Sequence, residues 1–201
     1  MKKIIFLIIT FYSIYGISQP ISAPSSNPPP SNIVNVCNDQ WGDEVPNYTY
    51  FKDINNTFEK FTGTWKYIKN NHVVIFEITK VTQKYNPEYK VYEDYLIGNY
   101  SYSIDGGNSY VVNTITTPIN DDSENNPMYS SCTEGNKIPF IFTDVVLNKK
   151  SCWIYFEFLQ GSTTQMKVKI KNEEEVIGEI QGDPPKNPAF TLPVIMTVTK
   201  Q

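Results

Sequence analysis

Four side chains hold the widest chemical reach in this 201-residue chain: the lone histidine, His72, and the cysteines Cys37, Cys132 and Cys152. A hydrolase triad needs its histidine beside a nucleophile and an acid, and no G-x-S-x-G elbow presents a serine to His72. A Cys–His dyad with Cys132 or Cys152 would have to be assembled by the fold, because nothing in the spacing arranges it. His72 precedes an apolar strand at a turn, where a solvated imidazole is the ordinary outcome. No catalytic residue is named, and the chain reads as non-enzymatic. The adjacent Glu93 and Asp94 point to opposite faces of a strand, so by themselves they form no glycosidase pair. Asp94 reads as a structural hydrogen-bonding group at a strand entry.

Metal chemistry has one candidate, Asp121-Asp122-Ser123-Glu124-Asn125-Asn126, hard oxygen ligands in a loop. It lacks the glycine and terminal glutamate of a calcium loop, so it reads as a solvated acidic loop. A zinc site would need more histidine or paired cysteine. No metal or cofactor is expected. The three cysteines leave their pairing open. The candidate disulfide Cys132–Cys152 closes a short loop between neighbouring strands; Cys37–Cys132 would tie the N-terminal leader to the domain; three reduced thiols are the third arrangement.

Aromatic residues are abundant, with 14 Tyr, 11 Phe and 3 Trp, which favours strands. Trp65, Tyr67, Phe76, Tyr100, Tyr102, Phe156 and Phe158 are the candidate lining of a pocket for a small hydrophobic ligand or a sugar. The alternative is that they simply fill a barrel.

The elements that must position these groups are mostly strands. Residues 65–69, 72–84, 93–104 and 109–117 are separated by Asn70-Asn71 and by Asp105-Gly106-Gly107-Asn108, whose glycines suit a tight hairpin. A polar loop over 118–137 precedes strands at 138–147, 152–159, 165–171, 176–181 and 193–200. Met166, Val168 and Ile170 alternate with Lys167, Lys169 and Lys171, one face for a core and one for water. Eight or nine antiparallel strands on short connections predict an all-β fold, a closed up-and-down barrel of about eight strands; a two-sheet sandwich is the alternative. Ile54, Phe58 and Phe61 recur at i, i+4 and i+7, predicting a short N-terminal helix over 51–61.

The chain ends bound the setting. Lys2 and Lys3 precede an apolar run over 4–14, and Gly16-Ile17-Ser18 offers small residues to a signal peptidase. That run is too short to span a bilayer, which takes roughly 20 residues, so no transmembrane anchor is expected. The expected organisation is a signal peptide over 1–18, a disordered Pro/Ser-rich leader over 19–46 and a barrel domain over 47–201. Export places the protein in the periplasm or outside the cell. All 17 basic residues are lysine, against 21 acidic ones, for a net charge of −4. An acidic chain without arginine has no electrostatic footprint for nucleic acid or an anionic membrane surface.

Three motifs carry a resemblance. They are Phe61-x-Gly63-Thr64-Trp65-x-Tyr67, the strand Tyr92-Glu93-Asp94-Tyr95-Leu96-Ile97-Gly98-Asn99-Tyr100-Ser101-Tyr102, and the ending Pro193-x-x-Met196-x-x-Thr199-Lys200-Gln201. From about Tyr50 onward the chain resembles a family of small exported bacterial proteins known as a domain of unknown function. The resemblance implies a lipocalin-like barrel with no assigned activity. Lipocalins pack a last-strand arginine over the tryptophan; here Lys200 is the nearest cationic substitute. Three functions follow as expectations: an exported barrel binding a small hydrophobic ligand, a structural or protein-interaction module of the cell envelope, and a hydrolase with an unfamiliar site.

Overall fold

The computed structural model describes residues 27–37, 45–117, 126–172 and 189–201. The segment expected as a signal peptide, most of the expected leader, the acidic loop at 121–124 and the strand expected at 176–181 lie outside these residues. Eleven strands are described: β1 (Asn32–Asn35), β2 (Thr49–Lys52), β3 (Gly63–Lys69), β4 (His72–Asn86), β5 (Val91–Ser103), β6 (Val112–Asn113), β7 (Met128–Ser130), β8 (Lys137–Asp144), β9 (Lys149–Phe158), β10 (Gln165–Lys171) and β11 (Ile195–Lys200). Eight of them, β3, β4, β5, β7, β8, β9, β10 and β11, form a closed ring in chain order, each antiparallel to its neighbour. The β11–β3 pairing closes it, with Lys200 opposite Trp65. This is the up-and-down barrel expected from the strand count. The return strand expected over 109–117 narrows to the two residues of β6, laid along the end of β5.

Inward positions hold the apolar set, and β10 shows the rule: Met166, Val168 and Ile170 are buried while Lys167 and Lys169 face water. β5 departs from it, being buried on both faces throughout. At its centre, a Cβ on Gly98 would stand 3.2 Å from the Met128 side chain and 3.3 Å from the Glu77 carbonyl oxygen. Glycine there lets Met128 lie flat against the barrel wall.

The segment 51–61 is not the predicted helix. Phe51 belongs to β2, turns follow, and only Glu59–Phe61 forms a 3₁₀ turn. Phe58 and Phe61 are fully buried, whereas Ile54, the third member of the stripe, is half exposed. Asp53 explains the difference: its carboxylate accepts the Thr57 and Phe58 N–H groups at 2.7 and 3.1 Å, holding the chain in a turn that still delivers two phenylalanines to the barrel. The chain then enters β3 through Gly63 at φ 102°, a conformation that suits glycine.

Part of the stretch expected as a disordered leader is structured. β1 pairs in parallel with β2, which pairs in parallel with the start of β5 outside the ring. Just past β1, Cys37 forms a disulfide with Cys132, their Cα atoms 5.0 Å apart. This corrects the candidate Cys132–Cys152 pair. Cys152 points into the barrel and is fully buried, whereas Cys132 lies in the connection between β7 and β8, where β1 can reach it.

The disulfide closes a loop of 95 residues. Replacing Cys37 by serine should lower the unfolding free energy by about 2–5 kcal/mol in urea titrations. Thiol labelling should modify only the Cys152 peptide, and only after denaturation. Labelling of the Cys37 or Cys132 peptide in unreduced, denatured protein would disprove the pairing.

Candidate functional site

The seven aromatic residues picked out as a pocket lining come together inside the barrel. Trp65, Phe76, Tyr100 and Phe156 are fully buried, Tyr102 nearly so, and Tyr67 and Phe158 pack against the core from its margins. They meet one another. Phe76 on β4 and Phe156 on β9 are four strands apart in a ring of eight, directly opposite, and their rings touch edge to face at 5.1 Å between centroids. Phe140 joins Phe156 at 5.5 Å, and Tyr100 joins Phe142 at 5.4 Å. Rings in contact across the full diameter occupy the middle of the lumen.

Both ends of the barrel are built differently. At the tryptophan end, the Trp65 indole N–H donates to the Phe61 carbonyl at 2.8 Å, and Phe158 packs edge-on against the ring at 5.8 Å. The Lys200 ammonium lies 5.2 Å from the Trp65 ring centre, the place anticipated for a cation from the last strand. Lys60 covers Phe158 from outside and donates to the Gly135 carbonyl at 2.7 Å.

A pair of buried carboxylates lies beside this plug. Asp94 accepts the Tyr50 hydroxyl at 2.6 Å and the backbone N–H groups of Gln83 and Asp53, each at 2.9 Å. Gln83 sits in a bulge where β4 places two residues opposite Asp94, so this carboxylate pins the bulge as well as the incoming β2. The structural role read for Asp94 in the sequence thus has its partners. Asp53 accepts the Lys80 ammonium at 2.8 Å besides its turn hydrogen bonds. Burial raises the Tyr50 hydroxyl's pKa far above its ordinary value, and the Asp94 acceptor adds to that. Both carboxylates are only 2 % exposed and fully engaged, which suits a lock rather than acid–base catalysis.

At the histidine end, His72 Nδ1 and the Tyr102 hydroxyl lie 2.7 Å apart, with the rings stacked at 5.9 Å. Cys132 is bonded to Cys37 in a connection at the tryptophan end, and Cys152 is buried, so neither joins His72. Among the described residues, no three His, Cys, Asp or Glu side chains gather as a metal site would require. Asp144 is fully buried and accepts the Thr191 N–H at 2.6 Å and its hydroxyl at 2.8 Å. This strap brings Leu192 into the core across that end. Burial keeps the Tyr100 hydroxyl protonated, well above its ordinary pKa, where it accepts the Val145 N–H at 3.0 Å. Around this end stand exposed apolar residues: Ile104, Tyr110 and Val111 after β5, Val145, Val146 and Leu147 in the β8–β9 turn, and Val194 and Ile195 entering β11, each 43–58 % exposed.

Asp53, Lys80, Asp144 and Thr191 carried no signal in the sequence, since each acts on a partner far along the chain. The acidic loop weighed as a metal site lies outside the described residues over 121–124. A family model for a family of unknown function, DUF6705, matches residues 1–201. The chain belongs to this family. The match includes the N-terminal leader, which the resemblance from Tyr50 had left out. No curated protein and no solved structure matches the chain. Among the described residues of this DUF6705 protein, no helix is long and apolar enough to cross a membrane.

The buried Asp53 sets an acid sensitivity. Burial alone would raise its pKa, but the Lys80 ammonium and the Phe58 and Thr57 donors outweigh it and hold it below 3.8. A folded-state value below the unfolded one stabilises the protein above the unfolded value, and that stability is lost as pH falls through the folded one. Glu93 works the opposite way, raised by burial with Asn86 opposing. Unfolding free energy should therefore drop as pH falls from about 5 to about 2, and Asp53→Asn should flatten that drop. The same variant should cost about 2 kcal/mol at neutral pH. An unchanged acid slope in Asp53→Asn would refute the assignment.

Proposed function

We propose that this DUF6705 protein is an exported, non-enzymatic module of the cell envelope that works by surface contact through the apolar histidine end of its barrel. The observation that carries this reading is the Phe76–Phe156 contact across the barrel, which occupies the space a lumenal ligand would need. With the interior filled, recognition belongs to the surface. Among the described residues, His72 is paired with the Tyr102 hydroxyl at 2.7 Å, a contact that suits a structural imidazole. The signal-like N-terminus supports export.

The β8–β9 turn is the most prominent part of the contact end. Val145, Val146 and Leu147 are consecutive and exposed, although the strap residue Leu192 close by is buried. A monomer rarely leaves apolar residues grouped in this way without a use for them. A protein partner suits an end that combines this turn with Tyr110, because aromatic and aliphatic side chains dominate the centres of protein interfaces.

Two measurements test this. Intact masses of the purified protein, native and denatured, should be equal; an extra mass in the native state alone would restore a small-molecule role. A photo-crosslinker at position 147 in living cells should yield one specific adduct with an envelope protein. Val146→Asp should abolish its formation while changing stability by no more than about 0.5 kcal/mol. No adduct, or adducts with lipid only, would overturn the proposed contact.

A further inference from the structure

A second surface, on the flank of the barrel, has a different chemistry. Trp153 and Tyr155 are two residues apart on β9, both half-buried and facing outward, with ring centroids 6.3 Å apart and planes within 18°. The strand register sets Lys171 beside Trp153, Lys169 beside Tyr155 and Lys167 beside Glu157. From the other side, the Lys137 ammonium lies 4.5 Å from the Tyr155 ring centre. Lys137, Tyr155, Glu157 and the three β10 lysines line a shallow groove of about 280 Å³.

Two ordinary explanations of these lysines fail. Lysine often guards an exposed sheet edge, but β10 is hydrogen-bonded on both sides, to β9 and β11. Lysines on a solvated face are commonly interleaved with acids; among the described residues Glu157 is the one carboxylate lining this groove, and Glu134 at its rim pairs with Lys137 at 3.3 Å rather than with the β10 row. Lys167, Lys169 and Lys171 stand roughly 7 Å apart along one strand, where like charges repel. This concentration of positive charge belongs to a chain whose net charge is −4.

We propose that this flank binds an acidic polysaccharide, a chain of carboxylated sugars. Near-parallel rings offer flat apolar faces against which sugar rings stack by their C–H faces, and the lysine row meets the carboxylates as point charges. A ligand carrying repeated negative charge relieves the repulsion within the row. Single-stranded nucleic acid also stacks on aromatics beside lysine; the lack of arginine and the acidic character of the whole chain favour the glycan. The proposal lies beyond the apolar end and rests on the exported reading only for where such a glycan would be met.

The test is affinity electrophoresis of the purified full chain in native gels containing alginate, with hydroxyethylcellulose gels as the neutral control. Alginate should retard the protein and hydroxyethylcellulose should not. Lys167→Gln combined with Lys169→Gln should weaken retardation roughly tenfold. Tyr155→Ala should weaken it as well; should that variant fail to fold, the exposed lysine pair carries the test. Val146→Asp should bind alginate like the unaltered protein, so the two surfaces fail separately. The proposal is overturned by absence of retardation in alginate, by equal retardation in the neutral glycan, by alginate binding that ignores the lysine substitutions, or by tighter binding to oligothymidine than to alginate.

Discussion

The width of an eight-stranded ring governs this structure. A barrel of that size has an interior that side chains can just fill, and here Phe76 and Phe156 meet from opposite walls. That contact fixes much else. Every inward position must hold an apolar group of suitable volume, which is why Met166, Val168 and Ile170 alternate with lysines. Where the wall must come closer, glycine replaces a side chain, as at Gly98 beneath Met128. A filled interior leaves little room for a ligand inside, and both proposed contact surfaces lie on the outside, at one end and on a flank.

Closing the ring settles the hydrogen bonds along the strands but not those at its ends. At the tryptophan end the incoming chain arrives through β2, a turn and Gly63, and each irregularity frees backbone donors in a nearly dry place. Asp94 and Asp53 collect them, and Lys80 balances the second carboxylate. Such a cluster is far costlier to break than to leave intact, since a buried donor without a partner loses its hydration for nothing. At the histidine end, Asp144 does the corresponding work with Thr191, and Tyr100 extends it by accepting from Val145. The barrel is thus apolar along its length and polar at its two closures.

What the sequence made legible follows from range. Alternation on β10 and the Asn70-Asn71 turn depend on neighbours in the chain, and both appear where expected. Lys200 over Trp65 was accessible through the motif resemblance and the missing arginine. The helix over 51–61 was misread because Ile54, Phe58 and Phe61 satisfy a helical period, whereas Asp53 gains more by capping a turn and bonding Lys80, 27 residues away. The disulfide was open for the same reason: Cys37 reaches Cys132 only because β1 docks on β2, a parallel pairing that no local pattern announces. The flank of Trp153 and Tyr155 was half visible. The lysines of β10 were read as the wet side of an amphipathic strand, and only the cross-strand register sets them against two aligned rings.

A packed barrel is well suited to recognition on its outer wall. Long lysine side chains and aromatic rings on a loop would lose much conformational freedom on binding, and that loss opposes affinity. On β9 and β10 the spacing of rings and ammoniums is already set by backbone hydrogen bonds on both sides, and the strands are held from beneath by Ile154, Phe156, Met166 and Val168 in the core. Rigid elements hold a constellation more accurately than loops do. The same packing that fills the interior therefore fixes the outer surface in register, so the contact of Phe76 with Phe156 inside and the alignment of the lysine row outside rest on one constraint.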